Sequence, residues 1–171
     1  MHRHIISLFI LLQMWLPCSL AGQKSDYRLF DNISLGAEAS VISCFLQDTQ
    51  GLIWIGSNKG LFSYDGYSSQ PHFTFGERNN TRIYCGEVVD STYLYLGADN
   101  GLLIYNYRTD TYEEPKADFP TDIRTLALHD GILWLGTLNG LYTYSPETRR
   151  LSAITEGLPH QTIYSLIHAS D

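Results

Sequence analysis

The side chains that could carry out catalysis are few and scattered in this sequence of 171 residues. Four histidines lie outside the first few residues, and their spacing is not that of metal ligands: His72, His129, His160 and His168. Asp110, Glu113 and Glu114 are close together, but a solvated loop edge explains them better than a carboxylate pair for acid–base chemistry. No glycine-rich phosphate-binding motif is present. We therefore predict no catalytic residue, no metal site and no cofactor, and we do not expect this chain to be an enzyme.

Side chains suited to ligand binding are easier to find, because they occupy matching positions of a repeat and differ from copy to copy. Four of them lie at or just before an apolar strand: Arg82, Tyr84, Arg124 and Tyr164. Five more lie in tight turns: Asn58, Lys59, Asp99, Asn100 and Asn139. A mixture of Tyr, Arg and Asn suits hydroxyl-rich or anionic ligands. The alternative is that the turn residues serve backbone geometry and the others are solvated strand ends.

The repeat that positions these residues has a period near forty. Its core reads Trp54-Ile55-Gly56 in the first copy, Tyr95-Leu96-Gly97 in the second and Trp134-Leu135-Gly136 in the third. Each core is followed by a turn that contains Asn and Gly, from which we expect both residue types to supply the positive φ of tight hairpins. A marker isoleucine recurs ahead of each core, at Ile42, Ile83, Ile123 and Ile163. Such a period with β-branched and aromatic content indicates a repeat architecture.

Each unit contains four short runs typical of strands. In the first unit these are Val41 to Leu46, Leu52 to Gly56, Leu61 to Tyr64 and His72 to Phe75. The fold class predicted is all-β, a β-propeller with about three four-stranded blades plus the first strand of a fourth. The blades span about 41–75, 82–114 and 122–155, and the fourth begins at 162–171. A leading outer strand is predicted at 27–30, and we expect the chain to be the N-terminal part of a longer propeller.

The N-terminus is typical of an export signal, with residues 1–21 as the signal peptide and 22–171 as a partial propeller domain. A basic start precedes the apolar stretch from Ile5 to Leu12, and Ser19-Leu20-Ala21 offers small residues for cleavage. An uncleaved anchor is the alternative. The net charge of −7, without a run of Lys or Arg, argues against binding nucleic acid or an anionic membrane surface. Contact with a membrane is expected only through an uncleaved signal or a longer parent chain.

Three framework positions carry further expectations. Cys44 and Cys85 share a slot that holds Thr125 and Ser165 in the other copies, which favours packed free thiols over a disulfide. The glycine of each core lies where a side chain would obstruct a close neighbour. Trp54 and Trp134 are interpreted as core aromatics packed between blades, not as sugar-stacking platforms.

The first unit resembles the two-component regulator propeller repeat. The resemblance rests on the pattern from Ile42 to Tyr64, with its Asp48-x-x-Gly51-Leu-Ile-Trp-Ile-Gly core, and on the lead-in from Glu156 to Leu166. It covers about Tyr27 to Asp171. The second copy departs from the pattern through Tyr95 and Asp90-Ser91-Thr92, and the third shortens the turn to Asp130-Gly131.

The resemblance implies the periplasmic sensor of a hybrid two-component histidine kinase, anchored in the inner membrane and signalling to transcription by phosphorelay. It implies an oligosaccharide or other small ligand, homodimerisation of the full-length protein, and kinase activity in the parent chain alone. A stand-alone exported propeller that acts as a scaffold or carbohydrate-binding module is one alternative. A propeller enzyme, either a quinone-dependent dehydrogenase or a glycosidase, is the other.

Overall fold

The computed structural model describes residue 35 and residues 41–72, 81–113, 115, 118–158 and 160–167. The predicted signal peptide and the predicted leading strand from Tyr27 to Phe30 lie outside these residues. All regular secondary structure among the described residues is β-strand, and the twelve strands form three separate sheets. The all-β fold class is therefore confirmed.

Each sheet is a four-stranded antiparallel meander in chain order. The first unit contains β1 (Ile42–Gln47), β2 (Ile53–Ser57), β3 (Gly60–Tyr64) and β4 (Ser69–Pro71). The second contains β5 (Ile83–Val88), β6 (Tyr93–Ala98), β7 (Gly101–Asn106) and β8 (Thr111–Glu113). The third contains β9 (Ile123–His129), β10 (Ile132–Thr137), β11 (Gly140–Ser145) and β12 (Arg150–Ile154). Strand β5 packs against both β1 and β9, so the first strands of the units line one common inner edge.

Two strand predictions need correction. The last strand of the first unit was predicted at His72 to Phe75, but β4 lies at Ser69–Pro71, and Phe73 to Phe75 are outside the described residues. The first strand of a fourth unit was predicted within 162–171, but residues 162–167, the described part of that range, are not paired into a sheet. A strand needs a hydrogen-bonded neighbour, and no second strand of a fourth unit is among the described residues.

The units stack because the second strand of each sheet carries a glycine where the next unit touches it. A Cβ added at Gly56 would lie 2.8 Å from Ile83 Cγ2, and one at Gly97 would lie 2.7 Å from Ile123 Cγ2. Gly136 has the same relation to Ile163, at 2.6 Å. The expectation that these glycines admit a close neighbour is confirmed. The marker isoleucine of each unit therefore packs onto the glycine of the unit before it.

Burial follows this stacking. Ile83 and Ile123 are 1 % and 0 % exposed, whereas Ile42 in the first unit is 39 % exposed. Trp54 is buried between the first two units, with its ring 5.3 Å from that of Tyr105. This confirms Trp54 as a core aromatic. Trp134 is half-buried, because the described part of the chain places only one segment of a fourth unit against the third sheet.

The repeat motif also has a local function at the turn before β2. Asp48 is buried, and its carboxylate accepts hydrogen bonds from the indole Nε1 of Trp54 at 3.0 Å and from the backbone N–H of Leu52 at 3.1 Å. The Asp-x-x-Gly segment therefore fixes the turn and orients the core tryptophan together. In the second unit the carboxylate of Asp90 accepts from the backbone N–H groups of Thr92 and Tyr93, and among the described residues no side chain donates to it.

The turns between the second and third strands use glycine for their backbone conformation. Gly60 and Gly140 have φ of 105° and 143°, as predicted for tight hairpins. The expectation that asparagine shares this role is wrong. The described non-glycine residues at positive φ are Asp110, Asp122, Asp130 and Arg149. In the third unit the Thr137 hydroxyl donates to the Gly140 carbonyl at 2.9 Å and closes the turn.

Candidate functional site

We call one surface of the protein the lead-in face. It contains the segments that precede β1, β5, β9 and Ile163, together with the turns between the second and third strands of each sheet. The Asn58 N–H donates to the Val41 carbonyl at 3.0 Å, and the Asp99 N–H donates to the Arg82 carbonyl at 3.1 Å. The Ile163 N–H donates to the Thr137 carbonyl at 2.8 Å. Lead-ins and turns are thus hydrogen-bonded neighbours. Most of the predicted binding residues lie on this face.

A β-bulge recurs in the inner strand of every described unit. The strand register shifts between Ile42 and Cys44, between Ile83 and Cys85, and at the pairing of β9 with the end of β10. The residues left unpaired are Ser43, Tyr84 and Arg124. Bulges redirect side chains and are frequent beside functional sites. The bulge therefore sets apart two of the predicted binding residues, Tyr84 and Arg124.

Tyr84 and Arg124 form a compact cluster with Asp122. The Arg124 guanidinium carbon lies 3.9 Å from the centre of the Tyr84 ring, a cation–π contact. Arg124 Nη2 donates to Asp122 Oδ1 at 3.1 Å, and the Tyr84 hydroxyl donates to the same oxygen at 3.3 Å. The guanidinium is thus fixed in position by a ring below it and a carboxylate beside it.

One donor of this cluster is unused. Arg124 Nε is buried and has no hydrogen-bond partner among the described residues. A buried donor without an acceptor is costly, and such groups are rare in folded proteins. The Arg124 side chain is 29 % exposed, so part of the group faces solvent. A ligand oxygen that reaches it would therefore gain a charge-assisted hydrogen bond.

Asp122 was missed by the sequence reasoning. It has a φ of 55°, a left-handed conformation that costs energy for a residue with a side chain. Its own N–H donates to the carbonyl of Asp99 at 3.1 Å, which holds the third lead-in on the turn of the second unit. The sequence did contain an indication of its role, because Asp122 directly precedes the marker isoleucine Ile123 and stands two residues before Arg124.

The other predicted residues do not join this cluster. The Asn58 side-chain oxygen accepts from the Val41 N–H at 3.1 Å, so it secures the first lead-in. Tyr164 is 73 % exposed, and Asn100 is also exposed. The remaining members lie in separate turns or strand ends: Lys59, Asp99, Arg82 and Asn139. Asn139 lines a cavity elsewhere on the lead-in face.

A second polar network, absent from the sequence predictions, joins the outer parts of the first two units. His72 Nε2 lies 2.8 Å from Ser63 Oγ, and His72 Nδ1 lies 3.0 Å from Asp110 Oδ1. The Tyr105 hydroxyl donates to the same Asp110 oxygen at 2.7 Å, and these bonds lower the pKa of Asp110. The order Ser63–His72–Asp110 resembles a hydrolase relay, but Ser63 is only 7 % exposed and lies in the core. The network therefore connects blades.

The two cysteines are free, as predicted, and both are half-buried. Burial raises the pKa of Cys44 to about 11, and it also raises the pKa of Cys85. Each sulfur lies against the glycine of the neighbouring strand, at 2.5 Å from an added Cβ at Gly56 or Gly97. The slot is therefore a packing position that keeps the thiols protonated and unreactive.

No group of three or more His, Cys, Asp or Glu residues is placed to hold a metal ion in the part of the chain that the structure covers. Within the same residues no helix has the length and apolar character to cross a membrane.

Comparison with known proteins gives one family match. The family model for the two component regulator propeller matches residues 36–59. No curated protein matches the chain significantly.

Solved structures give closer relatives. Two crystal structures of the extracellular domain of BT4673 from B. thetaiotaomicron are 67 % identical over 84 % of this chain, with a TM-score of 0.78. One describes BT4673 as a one component system and the other as a hybrid two component system. The extracellular domain of the hybrid two component system BT3049 from the same organism is 19 % identical over 77 % of this chain, with a TM-score of 0.62, and supports the fold alone. The chain spans 20 % and 22 % of the length of these structures.

Proposed function

Because this chain carries two component regulator propeller repeats, we propose that it is part of the extracellular or periplasmic propeller of a hybrid two-component sensor. The observation that carries the proposal is its 67 % identity, over 84 % of its length, to the extracellular domain of BT4673. In this proposal the chain recognises a ligand and is not itself an enzyme. A parent histidine kinase in the inner membrane would transmit the signal to transcription.

We place ligand recognition at the cluster of Tyr84, Arg124 and Asp122 on the lead-in face. Three features support this position: the cluster is built on recurring bulges, it includes a backbone outlier, and it leaves a buried donor unpaired. The guanidinium donates and the Asp122 carboxylate accepts, so neighbouring hydroxyl groups of a sugar could pair with both. We therefore propose an oligosaccharide as the ligand, with homodimerisation of the full-length parent as part of signalling.

The test is titration calorimetry of the complete extracellular domain with a panel of plant and host oligosaccharides. We expect Arg124→Met to weaken binding of the active sugar by about tenfold or more, since hydrogen bonds to a charged group contribute about 1.5–3 kcal/mol. Arg150→Met is the matched control, because Arg150 pairs with Ser145 at the end of the third sheet away from the lead-in face. Equal loss in both variants, or no loss in Arg124→Met, would contradict the assignment.

Light scattering of the same domain, with and without the active sugar, tests the proposed homodimer. A mass of one chain under both conditions would exclude self-association through this part of the protein.

A further inference from the structure

The positive charge of Arg124 is balanced within the cluster of Tyr84, Arg124 and Asp122. Arg124 Nη2 and Asp122 Oδ1 are 3.1 Å apart, and both side chains are largely covered, with 29 % and 34 % of their surface exposed. Solvent therefore screens this ion pair less than it screens a pair on the open surface. The negative face of the Tyr84 ring also lies against the guanidinium, at 3.9 Å. An anion that approached Arg124 would also approach a carboxylate, so attraction and repulsion would largely cancel.

Asp122 is a fixed part of this arrangement. It ends the passage of the chain from the second unit to the third, residues 118–122, and its N–H donates to the Asp99 carbonyl at 3.1 Å. Within the same passage the Phe119 ring packs edge-on against the ring of Tyr144, with centroids 5.2 Å apart. The passage is therefore anchored on both the second and the third units, and the Asp122 carboxylate stays beside the guanidinium when a ligand arrives.

The charged side chains nearby do not favour an anion either. Asp99 lies in the turn on which the passage rests, and Asp118 is exposed within the passage. Arg82 is exposed directly before β5. Together with Arg124 and Asp122, these residues are two arginines and three aspartates. The described part of this surface therefore carries no excess of positive charge that would attract an acidic ligand.

The hydrogen-bonding groups left for a ligand are of both kinds, donors and an acceptor. Asp122 Oδ1 accepts from Arg124 Nη2 at 3.1 Å and from the Tyr84 hydroxyl at 3.3 Å, which leaves Oδ2 to accept from a ligand. A guanidinium carries several N–H groups, and the one given to Asp122 leaves further donors in the same plane. A sugar hydroxyl both donates and accepts, so two adjacent hydroxyl groups can serve the carboxylate and the guanidinium together. A ligand carboxylate only accepts, and it leaves Asp122 Oδ2 without a donor.

We infer that the cluster selects uncharged sugars with adjacent hydroxyl groups over acidic sugars, and that Asp122 sets this preference. The inference rests on the proposed function, because it concerns the ligand of the same site. The carrying observation is that one carboxylate oxygen holds both the guanidinium and the tyrosine hydroxyl. Of the two ligand classes suggested by the mixture of Tyr, Arg and Asn, hydroxyl-rich and anionic, the inference assigns the first.

The experiment is titration calorimetry of the complete extracellular domain with matched probes: the di- and trisaccharides of glucose, galactose and mannose, and those of the corresponding uronic acids. We expect the wild type to bind at least one neutral sugar about tenfold or more tighter than the matching uronic acid. Asp122→Asn should weaken binding of the neutral sugar by about two- to tenfold, because an amide is a poorer acceptor than a carboxylate. It should also strengthen binding of the uronic acid, so that the preference falls by about tenfold or more.

The variant is compatible with the backbone, and the chain offers a matched control. Asparagine enters the left-handed region more readily than most residues, so Asp122→Asn can keep the φ of 55°. Asp130→Asn is the control, because Asp130 also has a left-handed backbone, with a φ of 48°, and follows β9 at the end away from Asp122. It removes one negative charge from the same unit and should leave the preference unchanged. Thermal unfolding checks that each variant is folded. If Asp122→Asn is not, Asp122→Gly serves in its place, since glycine adopts this φ without strain.

The possible results separate the inference from the proposed function. If a uronic acid binds the wild type as tightly as its neutral partner and Arg124→Met abolishes that binding, the inference is overturned and the proposed site stands. The same holds if the folded Asp122 variant keeps the wild-type preference, or if Asp130→Asn changes it equally. If neither class of sugar binds, or if Arg124→Met binds as the wild type does, both the proposed site and the inference are refuted.

Discussion

Replacing Gly97 with alanine is the sharpest test of how the units stack. The new Cβ would lie 2.5 Å from Cys85 Sγ, 2.7 Å from Ile123 Cγ2 and 2.9 Å from the Ile123 carbonyl oxygen, whereas ordinary contacts begin at 3.4 Å. The sulfur can rotate away, but the isoleucine is buried in the core and the carbonyl belongs to the backbone. The two sheets must therefore move apart.

The magnitude follows from these contacts. Overpacking of a core costs about 1–3 kcal/mol, and three simultaneous overlaps place Gly97→Ala near the upper end, at about 3 kcal/mol. Gly56→Ala meets only side chains, Cys44 Sγ at 2.5 Å and Ile83 Cγ2 at 2.8 Å. In both variants alanine regains about 0.5–1 kcal/mol because it is less flexible than glycine in the unfolded chain. Since side chains can move aside more readily than backbone, we expect a net loss of about 1 kcal/mol for Gly56→Ala, against a net loss of about 2 kcal/mol for Gly97→Ala.

The assay is urea unfolding followed by tryptophan fluorescence, in a Phe45→Lys background that removes a large exposed apolar side chain. Cys85→Ala combined with Gly97→Ala should recover only part of the loss, because the contact with the Ile123 carbonyl remains. Equal unfolding free energies for Gly97→Ala and Gly56→Ala would refute the reasoning that the backbone contact limits the approach of the sheets.

Three further predictions concern charge and exposure. Burial raises the pKa of Cys44 from 9.0 to about 11, so the thiol ionises in the unfolded chain before it ionises in the folded protein. The unfolding free energy should therefore fall as the pH rises from 9.0 through about 11. In urea titrations at alkaline pH, Cys44→Ser should remove about 2 kcal/mol of this fall. Asp110→Asn should lower the unfolding free energy at pH 7 by less than about 1 kcal/mol, since the side chain is 60 % exposed and screened. That difference should vanish in acid, as Asp110 is protonated and its lowered pKa no longer stabilises the fold. The exposed face of Val41, Ile42 and Phe45 should make the isolated chain self-associate, and Phe45→Lys should yield a monomer in sedimentation experiments.

Repeated positions made the fold predictable from the sequence. The slot shared by Gly56, Gly97 and Gly136 indicated a close neighbour in every copy, and the structure places a marker isoleucine there. The first three strands of the first unit, each with a hydrogen-bonded partner, were located to within a residue, as for β2 at Ile53–Ser57, whereas the short edge strand β4 was misplaced. The segment after Ile163 was predicted as a strand but is not one among the described residues. A strand forms only when a second strand pairs with it, and the pattern of one segment does not show whether a partner is present.

The site was less predictable because it depends on the positions where the copies differ. Tyr84 and Arg124 were identified as polar variants in one slot, but their contact requires a bulge in two neighbouring strands, which leaves no pattern in a single sequence. Asp122 was missed since its role comes from a left-handed backbone conformation. The network around His72 was not predicted, because its partner Asp110 lies 38 residues away in the next unit.

The contact between isoleucine and glycine has a consequence for how such a chain can change. The junctions at Gly56, Gly97 and Gly136 use the same pair of residue types at similar distances, with an isoleucine of one unit on a glycine of the unit before it. A duplicated or exchanged unit would therefore keep this contact, while the adjoining slots, which hold Cys85 or Thr125 and Trp54 or Tyr95, would need to repack. Variation is least restricted in the bulges and passages outside the contact, where Tyr84, Arg124 and Phe119 already differ from their counterparts.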